Sequence, residues 1–230
     1  MALRNPSLPP LRSFETCTEE EMQDDFGLCR VNQLAVLTDW LAAPALVLNE
    51  TQNFNLNRLQ TKLKKNTNIW NEDELKLNFI GPLLVEMDYD TANYRSFSQR
   101  KMSAIINNIE LQGKVDFVIS SGKQKPKHPF FCLHEYKRPH GRSSTSDPIG
   151  QLLSEMITAQ HQNKAHNLNF PIYGLYVEGK FWNFMVLDGQ EYAESDSFDA
   201  VTNDIFKIYA ILYHLKTKIN ELVLQNGIAT

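Results

Sequence analysis

Apolar residues in the first third of the chain recur at intervals of three and four, the spacing of helices that bury one face. Prolines near the start indicate an extended arm over residues 1–14. Thr18 and Glu21 then have the spacing of a capping box, which marks the start of a helix. Further helices are predicted over 31–43, 54–65 and 70–84.

From residue 94 onward the pattern changes to short apolar runs bounded by polar turns, which is typical of strands. Residues 94–109 are expected to form one long bent strand or a hairpin. Gly113 is expected to turn the chain into a buried strand over 114–120. A polar loop then leads to a second buried strand over 130–137.

The last part of the chain alternates helix and strand. Asp147 and Pro148 fit the N-cap and first position of a helix that runs to about residue 166. The elements expected after it are strands over 171–177 and 180–187, joined by a tight turn at Glu178-Gly179, and a long helix over 198–224.

The long final helix has an apolar seam whose members alternate steps of four and three. The seam consists of Val201, Ile205, Ile208, Leu212, Leu215, Ile219 and Leu222. Such a seam packs on the rest of the domain or on a second copy of the chain. We expect packing on its own domain, with a homodimer through this helix as the alternative.

Three charged residues interrupt the two buried strands of the middle region. Asp116 lies in the first strand, and Glu135 and Lys137 lie two residues apart in the second, so they project from one face. Two carboxylates and an amine at adjacent strand ends suit metal-assisted phosphodiester hydrolysis. The alternative is a structural salt bridge between Asp116 and Lys137, because an unpaired buried carboxylate is costly. That pairing leaves Glu135 still in need of a partner.

Charge is unevenly distributed along the 230 residues, although the net charge is only −4. Residues 94–142 hold ten basic and three acidic side chains, against 13 basic and 24 acidic in the remainder. Phosphate attraction follows the local field, so we expect nucleic acid to bind this segment. The candidate contacts are Arg100, Lys101, Lys123, Lys125, Arg138 and Arg142. For Lys123 and Lys125, in a turn with Lys127, a solvated loop is the alternative.

Other patterns exclude several classes of protein. The three cysteines have no CxxC spacing, which argues against structural zinc and for a reducing compartment. No apolar run reaches the roughly 18–20 residues of a membrane span, and the first residues lack the apolar core of a signal peptide. We therefore expect a cytoplasmic protein without a membrane partner. Small-molecule enzymes have little support, since no Gly-rich phosphate loop or GxSxG motif occurs.

The order of elements and the charged residues resemble the PD-(D/E)xK, or restriction endonuclease-like, nucleases. The family motif corresponds to Val115-Asp116 and Glu135-Tyr136-Lys137. Residues 71–84 are also similar to the helix that opens the nuclease domain of type I restriction enzyme R subunits, with an early Glu and an Ile-x-Pro-x-Leu end. Gln151 lies where related nucleases carry a glutamine. The resemblance covers about residues 70–190.

The resemblance implies an α/β fold. Its restriction endonuclease-like core would be a central mixed β-sheet flanked by helices, with extra N-terminal helices and a long C-terminal helix. The implied division is an arm and helical extension over 1–69, a nuclease-like core over 70–190, and a C-terminal helix within 191–230 that packs on the core or on a dimer partner.

The resemblance also implies a role for each motif residue. Asp116, Glu135 and the carbonyl of Tyr136 would hold Mg²⁺ or Mn²⁺, and Lys137 would orient or deprotonate the attacking water. Glu72 or Glu74 would help to hold the metal or its waters, with both candidates open. Gln151 would touch the substrate or Lys137. Its alternative is a solvated side chain, since Gln151 lies opposite the apolar stripe of its helix.

The function expected from these features is a Mg²⁺-dependent endonuclease that hydrolyses DNA phosphodiester bonds, of the restriction or repair type. The alternative is a catalytically inactive module of the same fold that binds nucleic acid or a protein partner.

Overall fold

The computed structural model describes residues 9–138 and 147–228. The helices are α1 (Glu19–Phe26), α2 (Ala35–Leu41), α3 (Glu50–Asn66), α4 (Glu72–Leu75), α5 (Gly81–Val85), α6 (Pro148–Lys164) and α7 (Asp204–Gln225). The strands are β1 (Leu11–Ser13), β2 (Cys29–Arg30), β3 (Arg95–Ile106), β4 (Ile109–Ser121), β5 (Lys127–Lys137), β6 (Ile172–Glu178), β7 (Phe181–Asp188), β8 (Glu191–Glu194) and β9 (Phe198–Asp199). The predicted α/β class is confirmed.

One mixed sheet connects all of these strands in the order β1-β4-β5-β6-β7-β8-β2, with β3 beside β4 and β9 beside β7. The pairs β1/β4, β5/β6 and β2/β8 are parallel, and the others are antiparallel. The parallel pair β5/β6 is joined through α6, as a parallel connection requires. The predicted central mixed sheet flanked by helices is therefore confirmed.

Helices cover both faces of the sheet, and successive residues of β6 contact helices on opposite faces. Gly174 faces α6, where an added Cβ would lie 2.6 Å from the Sδ of Met156. Its neighbour Tyr173 points to the opposite face, where its ring meets the ring of Trp40 on α2 edge to face. The Trp40 indole N–H also donates to the carbonyl of Ile211 on α7 at 2.9 Å. The alternation along one strand thus packs two different helical layers.

The start of α6 agrees with the sequence prediction and explains the position of the N-terminal segment. Asp147 accepts hydrogen bonds from the backbone N–H groups of Ile149 and Gly150, and its second oxygen accepts from the N–H of Glu19 on α1 at 2.7 Å. A Cβ on Gly150 would lie 2.3 Å from the carbonyl carbon of Thr18. The absence of a side chain at Gly150 therefore permits α1 to pack against α6. The predicted capping box of Thr18 and Glu21 is confirmed.

One sequence prediction about the middle strands is corrected. The turn into β4 lies at Asn107-Asn108, both with positive φ, and not at Gly113. Gly113 lies inside β4, and an added Cβ would lie 2.4 Å from the ring of Phe14. Glycine is therefore needed there for close packing and not for a turn. The segment before the turn forms one strand, β3.

Both ends of the chain contribute strands that the sequence pattern did not indicate. Leu11–Ser13, within the expected arm, pairs with β4. Phe198–Asp199, expected to open the last helix, pairs with β7, and the helix begins at Asp204. The predicted helices over 31–43 and 54–65 correspond to α2 and α3.

The apolar seam of α7 is buried within the chain itself, as expected. Ile205, Ile208, Leu212, Leu215 and Ile219 are fully buried. The seam is therefore not available as a dimer surface in this structure, and the homodimer stays a prediction. Among the described helices, none is long and apolar enough to cross a membrane.

Candidate active site

The predicted motif residues meet where β4 and β5 separate. The two strands pair as far as Phe117 and His134, and the next residues on each strand are Asp116 and Glu135. Beyond this point β5 continues beside β6, with Glu135 opposite Tyr176 and Lys137 opposite Glu178. Two central strands that stop pairing leave a gap between their ends, and polar side chains on the strands can face a ligand there.

Asp116 is held by three donors from three different elements. Its Oδ1 accepts from Nζ of Lys76 at 2.7 Å and from Nε2 of Gln99 at 2.6 Å. Its Oδ2 accepts from the backbone N–H of Tyr136 at 3.1 Å. The alternative of a structural pair between Asp116 and Lys137 is therefore wrong: Asp116 pairs with Lys76, which the sequence analysis did not single out.

The two glutamate candidates on α4, Glu72 and Glu74, make different contacts. Glu72 Oε1 accepts from Nζ of Lys76 at 2.6 Å, so one ammonium bridges Glu72 and Asp116. Glu74 instead completes a capping box, accepting from the backbone N–H of Asn71 at 2.9 Å. The structure thus brings Glu72 to the site and uses Glu74 at the helix start.

A π-helical segment, Lys76–Ile80, connects α4 to α5 and interrupts the helix predicted over 70–84. The N–H of Gly81 donates to the carbonyl of Lys76, five residues back. Pro82 has no N–H with which to continue the ordinary ladder. Such π segments are frequent at functional sites, and this one carries Lys76 to Asp116.

Glu135 is buried and pairs with Lys137. Nζ of Lys137 lies 2.8 Å from Glu135 Oε1, while Glu135 Oε2 is buried without a hydrogen-bond partner. Burial, followed by the charge of Asp116, raises the pKa of Glu135 to about 7, although Lys137 opposes this. Burial also works against the ammonium form of Lys137, but Glu135 outweighs it and the pKa of Lys137 is raised. Lys137 is therefore a cation in this arrangement.

Two residues of α6 complete the polar cluster from the other side. Gln151 is buried, so the alternative of a solvated side chain is wrong. Its Nε2 lies 3.4 Å from Oε1 of Glu155, a fully buried carboxyl. Burial, then the charges of Glu135 and Asp116, raise the pKa of Glu155 well above its ordinary value.

A cleft of about 590 Å³ opens beside Asp116, between the Lys76–Ile80 segment and β3. Its apolar lining includes Leu77, Ile80, Leu84, Tyr89 and Phe117, and Asp73, Asp88 and Asp90 also line it. The volume lies in the range of ligand-binding clefts. The Asp116 carboxylate can therefore be reached from solvent on this side.

The predicted nucleic-acid contacts fall into two groups. Arg100 and Lys101 are exposed on β3 directly after Gln99, which contacts Asp116, and Arg138 is exposed directly after Lys137. These three directly follow residues of the polar cluster in the chain.

Lys123 and Lys125 lie in the β4–β5 loop at the opposite end of the hairpin. From Glu135 to Lys127 the strand runs eight residues, or about 26 Å at the usual rise. These two lysines, with Arg95 and Lys127, line a separate cavity of about 550 Å³. Arg142 lies outside the described residues.

The sequence analysis missed two side chains that contact Asp116, namely Lys76 and Gln99, and the sequence signal for each is different. Lys76 follows Glu72 by four residues, which places both on one helix face, so the pair was visible in the sequence. Gln99 reaches Asp116 through the β3–β4 register, which depends on the turn at Asn107-Asn108. Placing that turn at Gly113 concealed the contact.

The geometry alone does not display a preformed metal site. In the described ranges, no group of three or more His, Cys, Asp or Glu side chains is arranged to hold a metal ion. The donors that are present are oxygens, the type that Mg²⁺ prefers, and Glu135 Oε2 lacks a partner. The residues therefore fit a hard cation in donor type.

No protein-family model matches this chain, and no curated protein is significantly similar to it. The likeness to PD-(D/E)xK nucleases stays a prediction that rests on the motif residues.

Proposed function

We propose that this protein is a Mg²⁺-dependent endonuclease with a restriction endonuclease-like core, which hydrolyses DNA phosphodiester bonds in a restriction or repair setting. The convergence of Asp116, Glu135 and Lys137 at the divergence of β4 and β5 carries the proposal. Glu72 approaches the same carboxylate through Lys76. The free cysteines at positions 17, 29 and 132 are consistent with a cytoplasmic location.

Each residue has a role that its surroundings support. Asp116 and Glu135, with the Tyr136 carbonyl, would hold Mg²⁺, which when bound activates water and offsets charge on phosphate. Lys137, held as a cation beside Glu135, stabilises the negative charge that develops on the phosphate oxygens. Water attacks phosphorus, the bond to the leaving oxygen breaks, and the water proton passes to solvent or to a neighbouring carboxylate. Arg100, Lys101 and Arg138, which are exposed, would contact backbone phosphates.

The test is nicking of supercoiled DNA with Mg²⁺ by the purified chain and by Asp116→Asn and Lys137→Met. The matched controls are Asp188→Asn and Lys207→Met, both at exposed positions away from the site. We expect wild type and controls to cut, and the two site variants to lose at least a hundredfold in rate. Equal cutting by Asp116→Asn and Asp188→Asn would refute the assignment.

A non-catalytic binding module is the second candidate, and one observation favours it. Lys76 bridges Glu72 and Asp116, and Lys137 pairs with Glu135, so the chain's own ammonium groups already neutralise part of the cluster. Calorimetry with Mn²⁺ separates the candidates. A folded protein that binds DNA but takes up no Mn²⁺ is the module.

A further inference from the structure

Three buried oxygen atoms on the α6 side of the sheet lack hydrogen-bond partners. They are Glu135 Oε2, Gln151 Oε1 and Glu155 Oε2. The three residues are 2%, 3% and 0% exposed. The amide group of Gln151 directs its Nε2 to Glu155 Oε1 at 3.4 Å, and its oxygen is left over. Buried polar atoms are nearly always paired, so three orphan oxygens in one cluster call for an explanation.

With Glu135 and Glu155 ionised, all three atoms are acceptors, which defines the missing partner. Amide and carboxylate oxygens with nothing to accept from are completed by a cation or by a donor. The nearest cation, Lys137, is already directed at the other oxygen of Glu135.

Charge counting across the cluster gives the same answer. Four carboxylates take part: Glu72, Asp116, Glu135 and Glu155. Two ammonium groups, Lys76 and Lys137, face them in the contacts described above. The Glu72 side chain is 38% exposed, so solvent stabilises part of its charge. The other three carboxylates are buried or nearly so, and when all are ionised they outnumber the two ammonium groups. Buried negative charge without compensation is strongly unfavourable, and a divalent cation compensates it.

We propose that Glu155 and Gln151 are further ligands of the metal site, so that Glu135, Glu155 and Gln151 hold a divalent cation of the Mg²⁺ or Mn²⁺ class on the α6 side. This rests on the proposed function, to which it adds two ligands from a second element. Together with Asp116 and the Tyr136 carbonyl of the proposed function, the ligand set is then five protein oxygens, and water fills the remaining position.

A proton shared between the carboxyl groups of Glu135 and Glu155 is the competing explanation, and it requires no metal. Mn²⁺ titration followed by electron paramagnetic resonance separates the two without any activity measurement. We expect the wild type to bind Mn²⁺, and Glu155→Gln to bind at least tenfold more weakly. Gln151→Leu should also bind several-fold more weakly. The exposed Glu191→Gln on β8 is the matched control and should bind like wild type.

Folding of the variants is checked by circular dichroism and by thermal unfolding in EDTA, where Glu155→Gln should unfold no lower than wild type. Mn²⁺ should then raise the melting temperature of wild type and of Glu191→Gln, and not that of Glu155→Gln. Equal Mn²⁺ affinity in wild type and Glu155→Gln overturns the proposal even if the protein cuts DNA. Loss of affinity in Glu155→Gln supports it even if no DNA is cut, in which case the nuclease assignment fails alone.

Discussion

The raised pKa of Glu135 makes a measurable prediction about stability. In the metal-free protein, burial and Asp116 move this pKa from an ordinary 4.5 to about 7, so the folded state binds a proton that the unfolded state has lost. Stability contributed by that proton is present below pH 4.5 and is lost as pH rises through 7. At 1.36 kcal/mol per pH unit, the loss amounts to about 3 kcal/mol.

Glu135→Gln removes this titration while keeping the shape of the side chain. Urea unfolding in EDTA, followed by tryptophan fluorescence at pH 4.5 to 8, gives the free energy of unfolding of both proteins. Relative to wild type, the free energy of unfolding of the variant should rise by about 1 kcal/mol per pH unit between pH 5 and 7. This difference should level off above pH 7.5. Groups that do not interact with Glu135 titrate alike in both proteins and cancel in the difference. A difference that stays constant within about 0.5 kcal/mol, or that changes in the opposite direction, refutes the reasoning.

Three further predictions concern other parts of the molecule. Burial lowers the pKa of His134 to about 3, so stability contributed by its neutral form is lost as pH falls from 6.5 towards 3. The free energy of unfolding of His134→Gln, measured by urea unfolding, should therefore fall less steeply than that of wild type over this range. Gly113→Ala should destabilise by about 1–3 kcal/mol in urea unfolding, because the new Cβ overlaps the Phe14 ring; an unchanged midpoint would contradict this. Lys123 and Lys125 lie beyond the far end of β5, about 26 Å or eight base pairs from Glu135. Replacing both by alanine should therefore weaken binding to a 20-base-pair duplex and leave binding to a 6-base-pair duplex unaffected, as measured by fluorescence anisotropy.

Local signals predicted the elements that hold the site. Asp147-Pro148 marked the start of α6, and the two buried strands carrying Asp116 and Glu135 were found with their charged residues on the correct strands. These signals need only residues a few positions apart, which is why the sequence suffices for them.

The pattern of apolar and polar residues did not predict contacts between distant segments of the chain. Gln151 and Glu155 share a helix face that is polar in sequence, and such a face is ordinarily solvated. In the structure α6 lies between the sheet and the N-terminal segment, whose residues Cys17 and Thr18 press against Gly150. Burial of that face therefore depends on a second layer of the fold, and helical periodicity does not record it.

The same limit applies to Lys76. Its partner Glu72 is local, but its partner Asp116 lies 40 residues away and is reached only through the π-helical segment. The sequence indicated that Asp116 and Glu135 lie close together, and it did not indicate which cation of the chain pairs with Asp116.

The central claim is that this cluster binds a divalent metal, and the most direct measurement is anomalous diffraction from a crystal soaked in Mn²⁺. The account predicts one anomalous peak within coordination distance of Glu135 Oε2, with Glu155 and Gln151 turned towards it. Absence of a peak at this cluster at saturating Mn²⁺, with Lys76 and Lys137 still paired to Asp116 and Glu135, would contradict it.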